Sequence, residues 1–129
     1  MKIKKLLFAS ALLFSAYNAS AQTQVIAHRG FWKTEGSAQN SIAALLKADS
    51  IGCYGSEFDV WLAADDQLVV NHDPTFKGKR MENSPSTALT AIKLDNGESL
   101  PTLAKYLKAA QPLHLSLIHI SEPTRLRRI

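Results

Sequence analysis

Short apolar runs alternate with amphipathic segments through the middle of the chain. Residues 25–27 form an apolar run of strand type, and residues 54–62 predict a second strand. Between them a polar loop leads into a helix predicted over residues 41–50, since Ile42, Leu45 and Leu46 recur at helical spacing. Asn40 is its predicted N-cap and Gly52 its predicted end.

The same alternation continues towards the C-terminus. A turn at Asp65 and Asp66 precedes a third strand predicted over residues 68–71. A polar, irregular stretch with a short helix near residues 87–92 follows, then a helix that starts around Pro101 and a fourth strand at Leu113, His114 and Leu115. Alternating strands and helices predict an α/β fold with a parallel sheet. About four strands correspond to the N-terminal part of a truncated (β/α)₈ TIM barrel.

The first residues, 1–21, have the layout of a secretory signal peptide. Lysines at positions 2, 4 and 5 precede a short apolar run over residues 6–16, and Ala19-Ser20-Ala21 is a small-residue cleavage site. The apolar run is too short for a stable membrane anchor. We therefore expect a mature chain that starts at Gln22 and a periplasmic or secreted location.

The last residues, 115–129, form a segment of a different kind. Residues 115–125 resemble the in-frame translation of a transposase sequencing adapter over eleven positions. The alternative is a genuine basic tail. We interpret the segment as non-native read-through after His114, so His119 and Glu122 are excluded from any predicted site.

Charge gives no indication of a nucleic-acid partner. The chain has a formal net charge of +4, but residues 22–114 hold nine basic and ten acidic side chains. The excess positive charge therefore lies in the two ends. Cys53 is the single cysteine, so no internal disulfide is possible, and a small buried residue is the expected role.

Reactive side chains cluster at the predicted strand ends, which meet on one face of a parallel barrel. They are His28 and Arg29, then Glu57 and Asp59, then His72 and Asp73. Residues 57 and 59 lie two apart on a strand, so their carboxylates face the same side. Such a pair suits a hard divalent cation, Mg²⁺ or Ca²⁺, although a solvated Glu-x-Asp pair is the alternative taken alone.

The two histidines suit proton transfer. Histidine titrates near neutral pH, and phosphodiester hydrolysis needs both a base and an acid. A guanidinium such as that of Arg29 can bind a phosphate through two hydrogen bonds. For a single histidine a structural role would be the better interpretation; the paired placement of His28 and His72 favours catalysis.

Taken in order, these motifs resemble the glycerophosphodiester phosphodiesterase family of exported bacterial enzymes. The fragments are His28-Arg29-Gly30, Asn40-Ser41, Glu57-Phe58-Asp59, His72-Asp73-Pro74 and the run from Gly97 to Leu103. The resemblance covers residues 24–113, so residues 22–114 are interpreted as a partial domain of that family.

The resemblance implies a metal-dependent enzyme that hydrolyses small glycerophosphodiesters to an alcohol and glycerol 3-phosphate. His28 and His72 would be the catalytic acid–base pair, Arg29 and Asn40 would bind the substrate phosphate, and Glu57 and Asp59 would bind the metal. The family also has a third carboxylate, in a Glu-x-Lys pattern on the next strand, which residues 115–129 replace. We therefore expect this 129-residue chain to be inactive and poorly folded.

Two other functions fit the same residues. One is a related barrel phospholipase that forms a cyclic phosphate. The other is a non-catalytic protein that binds phosphodiesters in a retained pocket.

Overall fold

The computed structural model describes residues 23–121. These residues form an α/β arrangement of six strands, three α-helices and one 3₁₀ turn at Met81–Asn83. The elements in chain order are β1 Ile26–Ala27, α1 Ile42–Ser50, β2 Gly55–Leu62, β3 Leu68–Val70, β4 Thr75–Phe76, β5 Lys79–Arg80, α2 Ser86–Thr90, α3 Leu103–Ala110 and β6 Ser116–Ser121.

Strand β2 is the centre of the sheet. It pairs in parallel with β1, with Ala27 opposite Ser56, and in parallel with β6, with Glu57 opposite Ile118. The predicted parallel α/β arrangement is confirmed for these three strands. The fourth predicted strand starts at Ser116 rather than at Leu113, because residues 111–115 are still the turn that leaves α3.

The third predicted strand runs in the opposite direction from the prediction. β3 pairs antiparallel to β2, with Leu62 opposite Leu68 and Val60 opposite Val70. Only five residues connect the two strands, and a parallel connection needs a crossover of about a dozen. Asp66 adopts a left-handed backbone with φ of 60°, which closes the turn. Thus β3 is the return arm of a hairpin.

The segment after β3 is more regular than the sequence suggested. β4 and β5 form a second hairpin, and their connection, Lys77 and Gly78, has positive φ at both residues, as a tight two-residue hairpin turn requires. Helix α2 spans Ser86–Thr90 instead of the predicted residues 87–92. Asp65 caps α2 through the backbone N–H and hydroxyl of Ser86, and these hydrogen bonds lower the pKa of the Asp65 carboxyl.

Helix α1 begins one residue later than predicted. Ser41, not Asn40, is the N-cap: it has an extended backbone and its hydroxyl accepts the N–H of Ala44. Asn40 instead adopts a left-handed conformation with φ of 57°. Helix α3 likewise has Thr102 as its N-cap, so Pro101 lies before the cap.

Two apolar clusters hold the elements together. Between the sheet and the helices, Phe58 packs on Tyr106 with ring centroids 4.9 Å apart, and Leu45 and Val70 complete that cluster. The second cluster lies under the hairpin formed by β2 and β3; its buried members are Ala38, Ala63, Val69, Met81, Leu89, Ile92, Leu94 and Leu100. Among residues 23–121 no helix is long and apolar enough to cross a membrane.

Gly30 fixes the distance between the loop after β1 and α1. A Cβ on Gly30 would lie 2.6 Å from the Cβ and 2.8 Å from the carbonyl carbon of Ala44, and its φ is +79°. Gly30→Ala is expected to lower the free energy of unfolding by about 2–4 kcal/mol, since it adds both a clash and backbone strain. Urea unfolding of the full-length protein measures this loss.

The matched control for this substitution is Gly97→Ala. Gly97 also has a positive φ, +86°, but nothing lies within 4 Å of the added Cβ. We expect a loss of about 1 kcal/mol there, from backbone strain alone. Equal losses at the two positions would contradict the packing argument.

Candidate active site

The carboxylates of Glu57 and Asp59 share one face of β2. Phe58, between them, packs towards the helices, as the alternation of a strand requires. Both acidic residues are buried. The backbone N–H of Arg29, after β1, donates to Glu57 Oε2 over 2.9 Å, and Arg29 Nε lies 3.9 Å from Asp59 Oδ2. The end of β1 and the middle of β2 therefore build one polar cluster.

Arg29 reaches the cluster through an unusual backbone conformation. Its φ is 59°, the left-handed region, and its backbone carbonyl accepts the N–H of Asn40. Its Nη1 donates to Gln39 Oε1 over 2.6 Å, while its buried Nε has no hydrogen-bond partner among the described residues. The guanidinium is thus held beside the Asp59 carboxylate by the neutral Gln39 side chain, while Arg29 contacts Glu57 through its backbone N–H.

Asn40 is directed at Asp59. Its Nδ2 donates to Asp59 Oδ2 over 3.0 Å, and its Oδ1 accepts the Asp59 backbone N–H over 3.4 Å. The residue is 2% exposed. Both ends of the amide therefore hold the metal-ligand candidate, and phosphate binding by Asn40 stays a prediction.

The two histidines differ in their surroundings. The side chain of His28 is largely exposed, and its Nε2 is 3.9 Å from Glu57 Oε2, too far for a hydrogen bond. His72 Nδ1 lies 2.8 Å from Asp73 Oδ1. An ionised carboxylate can only accept, so Nδ1 is the donor in this contact, and Nε2 is the ring nitrogen that faces away from Asp73.

His72 enters the site because of the hairpin. The backbone N–H of Asn71 donates to the Asp59 carbonyl over 3.1 Å, and Trp61 Nε1 donates to the His72 carbonyl over 3.2 Å. The predicted convergence of parallel strand ends is thus wrong for His72: an antiparallel return places its neighbour Asn71 against Asp59 and His72 directly after it.

A cavity of about 250 Å³ adjoins the cluster on the hairpin side. Asn40 and Asn71, which both bond Asp59, line the cavity, whereas Arg29, Glu57 and Asp59 do not. His72 also lines it, and Trp32 and Phe76 supply aromatic walls. Lys33 and Asp95 are charged lining residues. The cavity has room for a small polar molecule beside the predicted catalytic histidine.

The carboxylate pair fits a hard cation in part. Glu57 Oε1 is buried and has no hydrogen-bond partner among the described residues, although a buried carboxylate oxygen normally has one. Residues 23–121 contain no group of three His, Cys, Asp or Glu side chains arranged around a metal position. The two carboxylates therefore supply an incomplete ligand set, of the oxygen chemistry that Mg²⁺ and Ca²⁺ prefer.

The carboxylates of Glu57 and Asp59 also affect the pKa of a buried phenol, that of Tyr106. Burial raises the pKa of Tyr106 well above its usual range, and the Glu57 and Asp59 carboxylates raise it further. The Ser56 hydroxyl acts in the opposite direction, but neither hydroxyl reaches a partner at hydrogen-bond geometry, so burial dominates. The two carboxylates therefore act on Tyr106 in the same direction as its burial.

Several residues of the site make contacts that the sequence did not predict, although Asp73 was already among the reactive side chains at the strand ends. Asp73 orients His72, Gln39 holds Arg29, and Asn71 connects β3 to Asp59 while its Nδ2 donates to the Asp73 carbonyl. Glu98, within the Gly97–Leu103 motif, accepts the backbone N–H groups of α1. Their signal in the sequence was only their position beside, or inside, a family motif.

Known proteins with similar sequence and fold include glycerophosphodiester phosphodiesterases. No family model matches the chain. A curated glycerophosphodiester phosphodiesterase of Caldanaerobacter subterraneus subsp. tengcongensis is 48% identical over 54 residues, which are 42% of this chain and 21% of that protein. The crystal structure of a glycerophosphodiester phosphodiesterase from Parabacteroides distasonis is 53% identical, with a TM-score of 0.76 over 78% of this chain and 43% of that one. Over the part of the chain that they cover, these comparisons support the glycerophosphodiester phosphodiesterase family.

A third relative extends the comparison to a bound product. The structure of an Oleispira antarctica phosphodiesterase in complex with sn-glycerol-3-phosphate is 28% identical, with a TM-score of 0.67 over 79% of this chain and 45% of that one. The glycerophosphodiester phosphodiesterase relatives are TIM barrels, so the predicted fold class is confirmed. The chain spans less than half the length of each of these relatives.

Proposed function

We propose that the full-length enzyme hydrolyses glycerophosphodiesters to an alcohol and glycerol 3-phosphate. The full-length enzyme here means a chain in which residues 22–114 continue into the remaining strands of the barrel. The observation that carries the proposal is the buried cluster of Arg29, Glu57 and Asp59 beside the His72 cavity, in a chain 53% identical to a solved glycerophosphodiester phosphodiesterase.

In this proposal the histidines move protons. His72 contacts Asp73 through Nδ1 and its Nε2 faces away from Asp73, and His28 stands near Glu57 with its ring exposed to substrate. One takes a proton from the attacking water and the other protonates the leaving alkoxide. Arg29 offsets the charge of the phosphate, and Asn40 keeps Asp59 in place.

A divalent cation, Mg²⁺ or Ca²⁺, would be held by Glu57 and Asp59. When bound it would polarise a phosphoryl oxygen as a Lewis acid. The unpartnered Glu57 Oε1 supports this assignment. In the described part of the chain the β6 positions opposite Glu57 and Asp59 are Ile118 and Ile120, neither of which is a carboxylate residue. The 129-residue chain is therefore proposed to be inactive.

The proposal also assigns a role to residues 1–21 and an origin to residues 115–129. Residues 1–21 would act as a signal peptide and send the protein to the periplasm or the outside; they lie outside the described residues. Residues 115–129 would be non-native. Within them the structure describes residues 115–121, whose backbone supplies β6 in the position of the next parallel strand.

Phosphorus NMR of the reaction mixture tests the proposed function. Full-length enzyme is incubated with glycerophosphocholine and, separately, glycerophosphoethanolamine. We expect glycerol 3-phosphate, loss of turnover in EDTA and recovery with Mg²⁺ or Ca²⁺. The 129-residue chain, run in parallel, is expected to give no turnover.

Three outcomes would contradict the proposal. A stable cyclic phosphate indicates the cyclising phospholipase, and binding without turnover indicates a non-catalytic binding protein. Metal-dependent turnover together with cooperative unfolding in the 129-residue chain contradicts its proposed inactivity.

A further inference from the structure

Glu98 closes the N-terminus of α1 from more than fifty positions away in the sequence. Its Oε2 accepts the backbone N–H of Ile42 and its Oε1 that of Ala43, each over 3.0 Å. Ser41 supplies the remaining cap contacts, since its hydroxyl accepts the N–H of Ala44 and its own N–H donates to the Ala38 carbonyl. All four amide groups that a helix leaves free at its start are therefore used.

A full cap has a consequence for ligand binding. Free N–H groups at a helix start attract phosphate, but α1 has none left, and a carboxylate occupies that position. Glu98 therefore excludes an anionic substrate from this helix end, and a role in positioning fits it better than a role in binding.

The Glu98 carboxylate is itself held in place. Asn96 Nδ2 donates to Glu98 Oε1 over 2.9 Å, and the Glu98 N–H donates to Asn96 Oδ1 over 3.2 Å. Asn96 Nδ2 also lies 3.3 Å from the Gly36 carbonyl, in the loop that leads to α1. The carboxylate is thus oriented before it meets the helix.

The helix start is connected directly to the active-site carboxylate. Asn40 lies one residue before the N-cap and is confined by its left-handed backbone and by the bond from its N–H to the Arg29 carbonyl. Its amide bonds Asp59 at both ends. We propose that Glu98 is a positioning residue, which orients Asp59 for the cation through the start of α1 and the Asn40 side chain. This inference rests on the proposed function for the role of Asp59.

The test uses Glu98→Gln in the full-length enzyme. The substitution keeps the shape but removes the charge and turns one acceptor into a donor that faces an N–H. We expect hydrogen exchange of the Asn40 side-chain amide, followed by NMR, to become about tenfold faster, and Mg²⁺ to bind about tenfold more weakly by titration calorimetry. Both are measured well below the melting temperature, where every variant is folded.

Three further variants sharpen the test. Glu35→Gln removes the same charge from an exposed loop position and is expected to change neither quantity. Asn96→Ala removes the support of Glu98 Oε1, and we expect the same changes as in Glu98→Gln, only smaller. In a double-mutant cycle, Glu98→Gln added to Asn40→Ala is expected to weaken Mg²⁺ binding no further than Asn40→Ala alone.

The outcomes separate this inference from the proposed function. A lower melting temperature with unchanged Asn40 exchange and unchanged Mg²⁺ affinity would overturn it and leave Glu98 as a helix cap only. Additive effects of Glu98→Gln and Asn40→Ala would overturn the route through Asn40. If the exchange and affinity change as expected but the wild type hydrolyses no glycerophosphodiester, the positioning role stands and the proposed function fails.

Discussion

Replacing His72 with Ala is expected to lower kcat of the full-length enzyme by about a hundredfold or more, the size of a lost general acid or base. KM should change little, because a group that moves a proton contributes mainly in the transition state. The structural reason is that Asp73 Oδ1 lies 2.8 Å from Nδ1 of His72, while His72 lines the cavity together with Asn40, which bonds Asp59. Steady-state kinetics with glycerophosphocholine measures the loss.

His114→Ala is the matched control for this prediction. His114 is exposed two residues before β6, and its contact with Asp49 uses the backbone N–H, which the substitution keeps. We expect unchanged kinetics. If His72→Ala also turned over at the wild-type rate, His72 would have no part in the mechanism. That result would support the alternative of a pocket that binds phosphodiesters without using His72 for catalysis.

Helix α1 and strand β2 could be predicted closely because local sequence patterns specify them. α1 follows from Ile42, Leu45 and Leu46 at helical spacing and from the glycine at position 52, which has a φ of 76°. The alternation along β2 also predicted that residues 57 and 59 share a face, and the structure brings both into one cluster with Arg29. Burial of one face determines this register strongly.

The predicted direction of β3 was wrong because it followed from the apolar pattern of the strand and not from the length of its connection to β2. An apolar run over residues 68–70 looks the same in a parallel and an antiparallel sheet. The five-residue connection, with its turn at Asp65 and Asp66, already excluded a crossover. The error did not remove His72 from the site, since the return of the hairpin places Asn71 against Asp59.

The contacts that were missed are long-range or depend on backbone conformation. Glu98 reaches α1 across 55 and 56 positions, a distance over which no periodicity carries information. The hairpin turn uses Lys77 and Gly78, whereas the usual sequence signal for such a turn is Asn-Gly or Asp-Gly. Asn40 suited an N-cap by residue type, but Ser41 next to it took that position and left Asn40 to bond Asp59.

Glu57→Gln is expected to affect metal binding and metal-free stability in opposite directions. In the wild type Glu57 Oε2 accepts the backbone N–H of Arg29. The glutamine amide keeps an oxygen that can accept the same N–H, so the local geometry is retained. It removes a buried carboxylate whose nearest cationic partner is the exposed His28 ring, 3.9 Å away, since the Arg29 guanidinium lies beside Asp59. In EDTA we therefore expect the full-length variant to be more stable than the wild type, by about 1 kcal/mol, because an incompletely paired buried charge is gone.

Adding the cation should reverse that order. Mg²⁺ or Ca²⁺ at about a hundred times its dissociation constant stabilises a binding protein by about 2.7 kcal/mol, and the variant, which we expect to bind about a hundredfold more weakly, gains well under 1 kcal/mol. Thermal unfolding in EDTA and in excess Mg²⁺ measures both orders. Glu82→Gln, on the 3₁₀ turn away from the cluster, is expected to follow the wild type under both conditions. The hypothesis is that the Glu57 charge lowers the stability of the metal-free protein and is kept because it binds the cation. A variant less stable than the wild type in EDTA, or equally stabilised by Mg²⁺, would contradict it.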